Sequence, residues 1–407
     1  MLSFEQARHV VEEHTSRVRP PRREGSSLLE SVGRVLAEPA VADRNFPPFP
    51  RATRDGYAVR AADLSSLPAT LAITGEIKAG ADVTIQVGSG QAAAIMTGAP
   101  VPAGADSVVM VEYASLRGDS VEIHRGIAVG ENIVPQGAEA KLGERLLSPG
   151  VRLDAPAIAL ASSVGKSRLL VYVKPRVAVL ATGDEVVDVD VTPAPQQIRN
   201  SNSYSLAAQI QAAGGEPRLL PIAPDEPARL RKLISDALDA DLLLLSGGVS
   251  AGRYDFVEQV LGELKAEFFF TGVQIQPGRP VVFGRLPGGA NRGSDGRYFF
   301  GLPGNPVSTM VTFELFVKPV VEALAGMTPA KLVFLYAKLK SEVKTKTGLR
   351  RFLPAVLSGE FDQGEVELLP WHGSGDIAAT ARANCYVVIT PDRERIAAGE
   401  WVPVLLR

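Results

Sequence analysis

Residues 298–313, YFFGLPGNPVSTMVTF, run from an apolar, strand-like segment through a loop of glycines and prolines into an amphipathic segment. Asparagine is a good N-cap and proline suits the first helical position, so Asn305 and Pro306 predict a helix that begins here. The free N–H groups of its first turn would attract an anion, and Gly304 has no side chain to block one. A tight strand-to-helix connection without a ligand explains this stretch, taken alone, equally well.

Around this stretch, from residue 175 onward, strand-like and helical segments alternate. Strands are predicted over residues 177–181, 219–222, 242–245 and 298–300, and helices over 205–213, 227–238, 256–264 and 307–324. This alternation is typical of a doubly wound, mostly parallel sheet with helices on both faces. We therefore predict a central α/β domain over residues 175–327.

The remaining segments have other patterns. Two helices are predicted within residues 3–38, separated by an exposed loop over 19–23, with the second helix over about 28–36. A further helix is predicted over 146–163 and should pair with the first two, and short strands separated by turns are predicted over 45–139 and after 331. The chain should thus comprise a helical linker domain, an inserted β domain, the α/β domain and a small C-terminal β domain. The predicted boundaries are 1–44 with 143–174, 45–142, 175–327 and 328–407.

Composition excludes several classes of protein. The 407 residues carry a net charge of -2 with the basic residues spread out, which argues against a nucleic-acid surface. Cys385 is the only cysteine, which excludes a disulfide framework and a thiolate zinc site. No apolar run reaches the ~18 residues of a membrane helix. The N-terminus has the capping box of an amphipathic helix, Ser3 with Gln6, instead of a signal peptide, so we expect a cytoplasmic protein without membrane contact.

Small polar loops follow the strands of the predicted sheet. Because the loops at the carboxyl ends of parallel strands share one edge, they should converge and form an anion site. The predicted loop residues are Thr182, Gly183, Asp184, Glu185, Ser246, Gly247, Gly248, Ser250, Pro303, Gly304, Asn305 and Pro306.

Carboxylates accompany these loops, namely Asp184, Glu185, Asp225 and Asp255. Asp225 and Asp255 could instead cap the helices that follow them. Several carboxylates beside a phosphate-binding crevice would repel the ligand unless a divalent cation bridged the two, and Mg²⁺ prefers such oxygen ligands. The pattern therefore predicts a phosphorylated small molecule, such as a nucleotide, bound with Mg²⁺.

Two further segments border the predicted site. Residues 200–203, NSNS, form a helix start capped by Asn202 or Ser203, although their side chains could instead donate to a ligand. Residues 276–280, QPGRP, form a tight turn that would hold Arg279 at the mouth of the site, where a guanidinium suits a phosphate or another oxyanion.

Seven motifs in order along the chain resemble those of the molybdopterin molybdenumtransferases, the family that includes the gephyrin E domain. The motifs are RDGYAV (54–59), IMTGAPVPAGADSVVMVE (95–112), GENIVPQGAE (130–139), ATGDEV (181–186), SGGVSAGRYDF (246–256), QPGRPVVFG (276–284) and GLPGNPVS (301–308). The resemblance covers essentially the whole chain. It implies four domains ending in a C-terminal β barrel, and an elongated homodimer with each site between the α/β domain of one subunit and the β domain of the other.

The resemblance also implies the reaction and its residues. Molybdate is transferred to adenylylated molybdopterin with Mg²⁺-assisted hydrolysis of the adenylate and release of AMP, and the further partners are molybdopterin adenylyltransferase and recipient molybdoenzymes. The implied catalytic residues are Asp55, Thr97, Glu185, Asp225 and Asp255, and the last three would hold Mg²⁺. The implied substrate-binding residues outside the loops above are Ser201, Ser203, Pro277, Gly278, Arg279, Pro280 and Ser374. The role of Asp55 rests on the resemblance alone, because RDGY otherwise reads as a turn.

The sequence also departs from the family pattern. Val134 and Leu349 stand where arginine is common, Glu139 stands where aspartate is usual, and Gln276 and Arg279 replace lysines. Such changes would suit a paralogue that prefers tungstate. The same fold could also serve a non-catalytic carrier of adenylylated molybdopterin or a scaffold, but a scaffold would need none of the acidic residues.

Overall fold

The computed structural model describes residues 1–19, 22–80, 82, 84–248, 256–287, 296–328 and 330–407. The predicted site residues Ser250 and Asp255 lie outside these ranges. Within the described ranges, the helices are all too short or too polar to cross a membrane.

The N-terminal half begins with the predicted capped helix. The Ser3 hydroxyl accepts a hydrogen bond from the Gln6 amide at 3.1 Å, and Gln6 Oε1 accepts one from the Ser3 amide at 2.9 Å. A cap of this kind stabilises a helix by about 1 kcal/mol. The elements of this half are α1 (Phe4–Thr15), β1 (Arg23–Ser27), β2 (Ala40–Val41), β3 (Arg51–Ala52), β4 (Gly56–Val59), β5 (Ala69–Ile77), β6 (Gln91–Ile95), β7 (Ser107–Met110), β8 (Ala114–Arg117), β9 (Ser120–Ile123), β10 (Ile133–Val134), β11 (Arg145–Leu147), α2 (Ala155–Ser163) and β12 (Arg168–Tyr172).

The helix predicted over residues 28–36 is wrong. The chain forms turns there, and Gly33 has a φ of 76°, a left-handed conformation that ends helical geometry. Gly33 and Leu36 donate backbone hydrogen bonds to Leu153 and Val151, so a distant segment determines the local structure. The helix predicted over 146–163 forms only from residue 155, where Asp154 caps α2.

The inserted β region is a six-stranded sheet in the order β7-β4-β6-β5-β9-β8. Strands β4 and β6 are antiparallel neighbours with Gly56 opposite Ile95. The turn before β4 and the turn after β6 therefore lie at the same end of the sheet. This register determines where Asp55 and Thr97 meet.

The central region contains a six-stranded sheet in the order β16-β13-β17-β21-β20-β18. The first four strands are parallel, whereas β20 and β18 form an antiparallel edge that the sequence did not predict. The elements are β13 (Arg176–Ala181), β14 (Val186–Val187), β15 (Ile198–Arg199), α3 (Ser201–Ala212), β16 (Glu216–Leu219), α4 (Pro227–Ala237), β17 (Leu242–Ser246), α5 (Phe256–Glu263), β18 (Glu267–Thr271), β19 (Ile275–Gln276), β20 (Val282–Leu286), β21 (Arg297–Leu302), α6 (Pro306–Thr312) and α7 (Lys318–Leu324).

Helices cover both faces of this sheet. One hydrophobic cluster joins α3, α6 and α7 to one face, and another joins α4 and α5 to the opposite face. The mostly parallel, doubly wound sheet is therefore confirmed. A π-helical turn, Phe313–Val317, connects α6 to α7 within the predicted helix.

Helix α1 packs on the α/β region instead of pairing with residues 146–163 as predicted. Phe4, Ala7 and Val11 belong to the same buried cluster as the π-helical turn, whereas α2 packs in a separate cluster with Leu36. The buried Arg8 donates a hydrogen bond to the Leu315 carbonyl at 2.9 Å, which secures this packing.

The C-terminal region is a small closed β barrel. Strands β24, β25, β22, β28 and β26 pair in sequence, and β26 pairs again with β24. Strand β19 of the α/β region adds to β24 in parallel, so the QPGRP turn lies at the junction with the barrel. The elements are β22 (Phe334–Leu339), β23 (Val343–Lys344), β24 (Arg350–Ser358), β25 (Glu365–Leu368), α8 (Ile377–Arg382), β26 (Cys385–Ile389), β27 (Arg395–Ile396) and β28 (Trp401–Leu406).

Candidate functional site

The loops that follow β13, β17 and β21 converge around a cavity of about 400 Å³. This convergence follows from the parallel pairing of the three strands, in which Ala181 lies opposite Ser246 and Ser246 lies opposite Leu302. The predicted residues that line the cavity are Thr182, Gly183, Glu185, Ser201, Asp225, Ser246, Gly247, Gly248, Pro280, Pro303, Gly304, Asn305 and Pro306.

Glycines allow two of these loops to approach through their backbones. Gly247 has a φ of 94°, and a Cβ there would lie 2.7 Å from the Thr182 carbonyl oxygen. A Cβ on Gly304 would lie 3.7 Å from the Gly247 Cα of the neighbouring loop, which is ordinary contact. A side chain is therefore excluded at Gly247, whereas at Gly304 it would occupy space open to a ligand.

One hydroxyl lies at the base of the cavity without a hydrogen-bond partner among the described residues. Thr182 is only 6% exposed, and its Oγ1 is buried. An unpaired buried hydroxyl is costly to a protein, and a ligand or an ordered water relieves the cost.

The segment before α3 is capped differently from the prediction. Asn200 is the N-cap, and its Oδ1 accepts a hydrogen bond from the Ser203 amide at 3.1 Å. Ser203 is 2% exposed and lies below the surface of the cavity. Asn202 instead points across the loops and donates to Ser246 Oγ at 2.9 Å and to the Gly304 carbonyl at 2.8 Å. Sequence reasoning missed this contact, because either asparagine suits a cap.

Three carboxylates cluster at the edge of the cavity. Burial raises the pKa of Asp225 first, and the negative charges of Asp184 and Glu185 raise it further. Asp184 Oδ1 accepts the Asp225 amide at 3.1 Å, and Glu185 lies over Gly183, where a Cβ would be 2.4 Å from Glu185 Oε2. Within the described part of the chain, no three metal-binding side chains form a ready-made metal group, and Asp255 lies outside it.

The QPGRP turn contributes to the site differently from the prediction. Pro280 lines the cavity, and Pro277 and Gly278 are buried beneath it, where a Cβ on Gly278 would lie 2.4 Å from Thr312 Cγ2. Arg279 is exposed and is not among the described side chains that line the cavity. The turn thus supports the site mainly through its backbone and prolines.

Arg199 lines the cavity, and sequence reasoning missed it. Its Nε donates to the Val191 carbonyl at 3.1 Å, and the described residues offer its guanidinium no carboxylate partner. Its place at the end of a short strand, directly before the Asn200 cap, was the available signal. Among the described residues, the cavity therefore combines one cationic side chain with an acidic edge.

The C-terminal barrel reaches the first turn of α6. The Ser374 carbonyl accepts a hydrogen bond from the Val307 amide at 3.0 Å. Asn305 occupies the predicted N-cap position, but its side chain makes no capping hydrogen bond. Thr309 Oγ1 donates to the Pro303 carbonyl at 2.5 Å and so fixes the loop from below.

Asp55 and Thr97 lie together in the β region and do not line the cavity of the same chain. Asp55 Oδ1 accepts the Thr97 amide at 2.6 Å and the Thr97 hydroxyl at 2.8 Å, and these two bonds lower the pKa of Asp55. Glu139, another residue of the predicted motifs, forms an ion pair with Arg51 at 2.5 Å.

Matches to known families cover most of the chain. Residues 2–165 match the family described as MoeA N-terminal region (domain I and II), residues 178–323 match the probable molybdopterin binding domain, and residues 336–406 match the MoeA C-terminal region (domain IV).

Individual proteins are similar over nearly their full length. Two curated relatives are named molybdopterin molybdenumtransferase: one from Nostoc sp. is 35% identical over 93% of this chain and 87% of its own, and one from Haemophilus influenzae is 32% identical over 99% and 98%. The crystal structure of the molybdopterin biosynthesis MoeA protein from Pyrococcus horikoshii OT3 superposes with a TM-score of 0.77 at 28% identity, covering 100% of both chains.

Proposed function

Because this chain belongs to the MoeA family of molybdopterin molybdenumtransferases, we propose that it transfers molybdenum from molybdate to adenylylated molybdopterin, with hydrolysis of the adenylate and release of AMP. The product would be the molybdenum cofactor. The homologues support molybdenum insertion, and the cavity supports the finer proposal that the substrate is adenylylated.

The cavity is the observation that carries this proposal. Its volume of about 400 Å³ falls in the range of small-molecule sites, and backbone from three loops lines it. Glycine-rich loops at strand ends suit phosphate groups, because their N–H groups can approach the ligand closely. The Thr182 hydroxyl and the Arg199 guanidinium add donors suited to a pyrophosphate.

The carboxylates at the edge of the cavity support the proposal that a divalent cation binds there. We assign Asp225 and Glu185, together with Asp255 outside the described residues, as the groups that would hold Mg²⁺. The raised pKa of Asp225 fits this assignment, because a nearby cation favours the ionised carboxylate that burial and its acidic neighbours disfavour. Bound Mg²⁺ would neutralise phosphate charge beside the scissile bond.

The chain's own groups would bind and orient the substrate. The glycine loops would hold the phosphates, Arg199 would close over them from the mouth, and Ser246 would donate to a phosphate oxygen. Asp184 would keep Asp225 in place by accepting its amide hydrogen bond.

Asp55 and Thr97 could reach the substrate only in the cavity of a second copy of the chain. They lie in the β region and do not line the cavity of the same chain. A homodimer in which the β region of one subunit meets the α/β cavity of the other would bring the ionised Asp55 to the substrate. We therefore assign Asp55 as a catalytic acceptor that acts across the subunit interface.

The test is AMP release from adenylylated molybdopterin with Mg²⁺ present, as molybdate and then tungstate are titrated. Release that depends on either oxyanion would establish the transferase and identify its metal. Tight binding of the adenylate without oxyanion-dependent release would overturn the proposal in favour of a carrier that requires a partner.

A further inference from the structure

Two loops that line the cavity leave neighbouring strands of the sheet side by side. Strands β17 and β21 pair up to Ser246 and Leu302, and the last backbone hydrogen bond between them runs from the Gly247 amide to the Leu302 carbonyl at 3.1 Å. Beyond that point the sheet no longer holds the Gly247 and Gly304 loops at a fixed separation. This is the part of the cavity that the proposed ligand would occupy.

Asn202 supplies the next cross-connection from its side chain. Its Nδ2 donates to the Gly304 carbonyl at 2.8 Å and to Ser246 Oγ at 2.9 Å. A backbone carbonyl can only accept, so the atom that faces Gly304 must be the nitrogen, which fixes the orientation of the amide. Both hydrogens of this nitrogen are then used.

We infer that Asn202 is a positioning residue that holds the Gly247 and Gly304 loops together and directs the Ser246 hydroxyl toward the ligand. Ser246 Oγ accepts from Asn202, and no acceptor for its own proton lies among the described residues. Because Ser246 lines the cavity, that proton is available to a phosphate oxygen. The inference rests on the proposed function, because it takes the ligand to be phosphorylated.

The choice of asparagine follows from this geometry. An aspartate of the same shape could only accept, so it would repel the Gly304 carbonyl and take the Ser246 proton away from the ligand. An alanine would leave the Gly304 carbonyl unpaired and the two loops unconnected. Both changes should weaken ligand binding, and only the first adds charge.

The experiment compares Asn202→Ala and Asn202→Asp with the wild-type chain, using AMP as the binding probe and adenylylated molybdopterin as substrate. Loss of two hydrogen bonds predicts that the AMP dissociation constant and KM rise about tenfold in Asn202→Ala, and further in Asn202→Asp, while kcat falls less than about threefold. Hydrogen exchange of the Gly247 amide should quicken in both variants. Ser246→Ala combined with Asn202→Ala should be less than additive, because both remove the same connection.

Asn384→Ala is the matched control. Asn384 Nδ2 donates to the Leu357 carbonyl at 2.9 Å in the barrel, away from the cavity, so its loss should leave AMP binding and KM unchanged. Wild-type binding, KM and exchange in Asn202→Ala would overturn the inference. If the wild-type chain shows no oxyanion-dependent AMP release, the proposed function fails. AMP binding and hydrogen exchange would still decide the role of Asn202. If AMP does not bind, hydrogen exchange of the Gly247 amide decides it.

Discussion

Two acidic regions of this molecule hold their carboxylates in opposite ways. In the β region, the two hydrogen bonds from Thr97 lower the pKa of Asp55 and keep it ionised. At the edge of the cavity, burial and the neighbouring Asp184 and Glu185 raise the pKa of Asp225. The fold therefore supplies hydrogen-bond donors that stabilise the charge of Asp55, whereas Asp225 lies beside further negative charge. This difference is why we propose Asp55 as an acceptor and Asp225 as a group that holds a cation.

The largest effect is expected from Asp225→Asn. Removing a metal-binding carboxylate should lower Mg²⁺-dependent AMP release by at least about 100-fold. The substitution should not destabilise the fold. The pKa of Asp225 is raised above its unfolded value of 3.8, so without a cation the ionised carboxylate costs stability as the pH rises from 3.8 through the folded-state pKa, and asparagine carries no such charge. The variant should therefore melt at the same or a higher temperature than the wild type at pH 7 without Mg²⁺, and the difference should vanish below pH 3.8.

Asp154→Asn is the control for this change. Asp154 caps α2 by accepting the Ala157 amide, and asparagine caps equally well, so activity and melting should both stay unchanged. Full Mg²⁺-dependent activity in Asp225→Asn would contradict the assignment of the cation site.

A second prediction tests whether the two regions meet across subunits. Asp55→Ala and Asp225→Ala chains should each be inactive, but random mixing makes roughly half of the dimers mixed, each with one intact site, so about a quarter of wild-type activity should return. The measurement is AMP release after co-refolding, with the mixed dimer verified by differential tags. Verified mixed dimers without recovered activity would place the Asp55 function within its own chain or outside catalysis.

A third prediction concerns the bonds that keep Asp55 ionised. Thr97→Val removes the hydroxyl donor but keeps the amide, so the pKa of Asp55 should rise. The acid limb of kcat/KM should then move to higher pH, with about a tenfold loss of activity on that limb alone. Thr97→Ser keeps the hydroxyl and should retain the wild-type profile. The lowered pKa of Asp55 stabilises the fold above pH 3.8, and this contribution is lost as the pH falls through the folded-state pKa. In Thr97→Val the contribution is smaller, so the melting temperature should fall less on acidification than it does in the wild type. Identical pH profiles in the valine and serine variants would show that the hydroxyl does not set the charge of Asp55.

The sequence predicted the loops that line the cavity better than the secondary structure elsewhere in the chain. Glycine and proline restrict the backbone locally, and parallel strands send their loops to one edge, so the Gly247 and Gly304 loops could be placed from sequence alone. The helix predicted over residues 28–36 does not form, because hydrogen bonds to residues 151–153 override local propensity there. The antiparallel strands β18 and β20 were missed, because short aromatic segments carry little periodicity.

Side-chain direction was the least predictable feature. Asn200 and Asn202 are equivalent as candidate caps, and only the backbone angle at the helix start decides which one turns inward. Arg279 and Arg199 are both exposed and both suit an oxyanion, yet of these two only Arg199 lines the cavity. Local chemistry thus predicts which loops form a site, and the packing between them determines which side chains enter it.

The smallest effect is expected from Arg199→Gln. This variant extends the comparison of the two regions from their carboxylates to the pairing of their arginines. Arg51 in the β region is already paired with Glu139, whereas Arg199 has no carboxylate partner among the described residues. Removing the unpaired charge should weaken AMP binding about threefold to tenfold at low salt and less at high salt, because Arg199 is exposed and screened. Arg218→Gln has the same net charge change but removes a cation paired with Asp239, so AMP affinity should hold. An equal loss of AMP affinity in both variants would mean that net charge, and not the position of Arg199, governs affinity. The cavity would then hold its ligand through backbone donors and a cation alone.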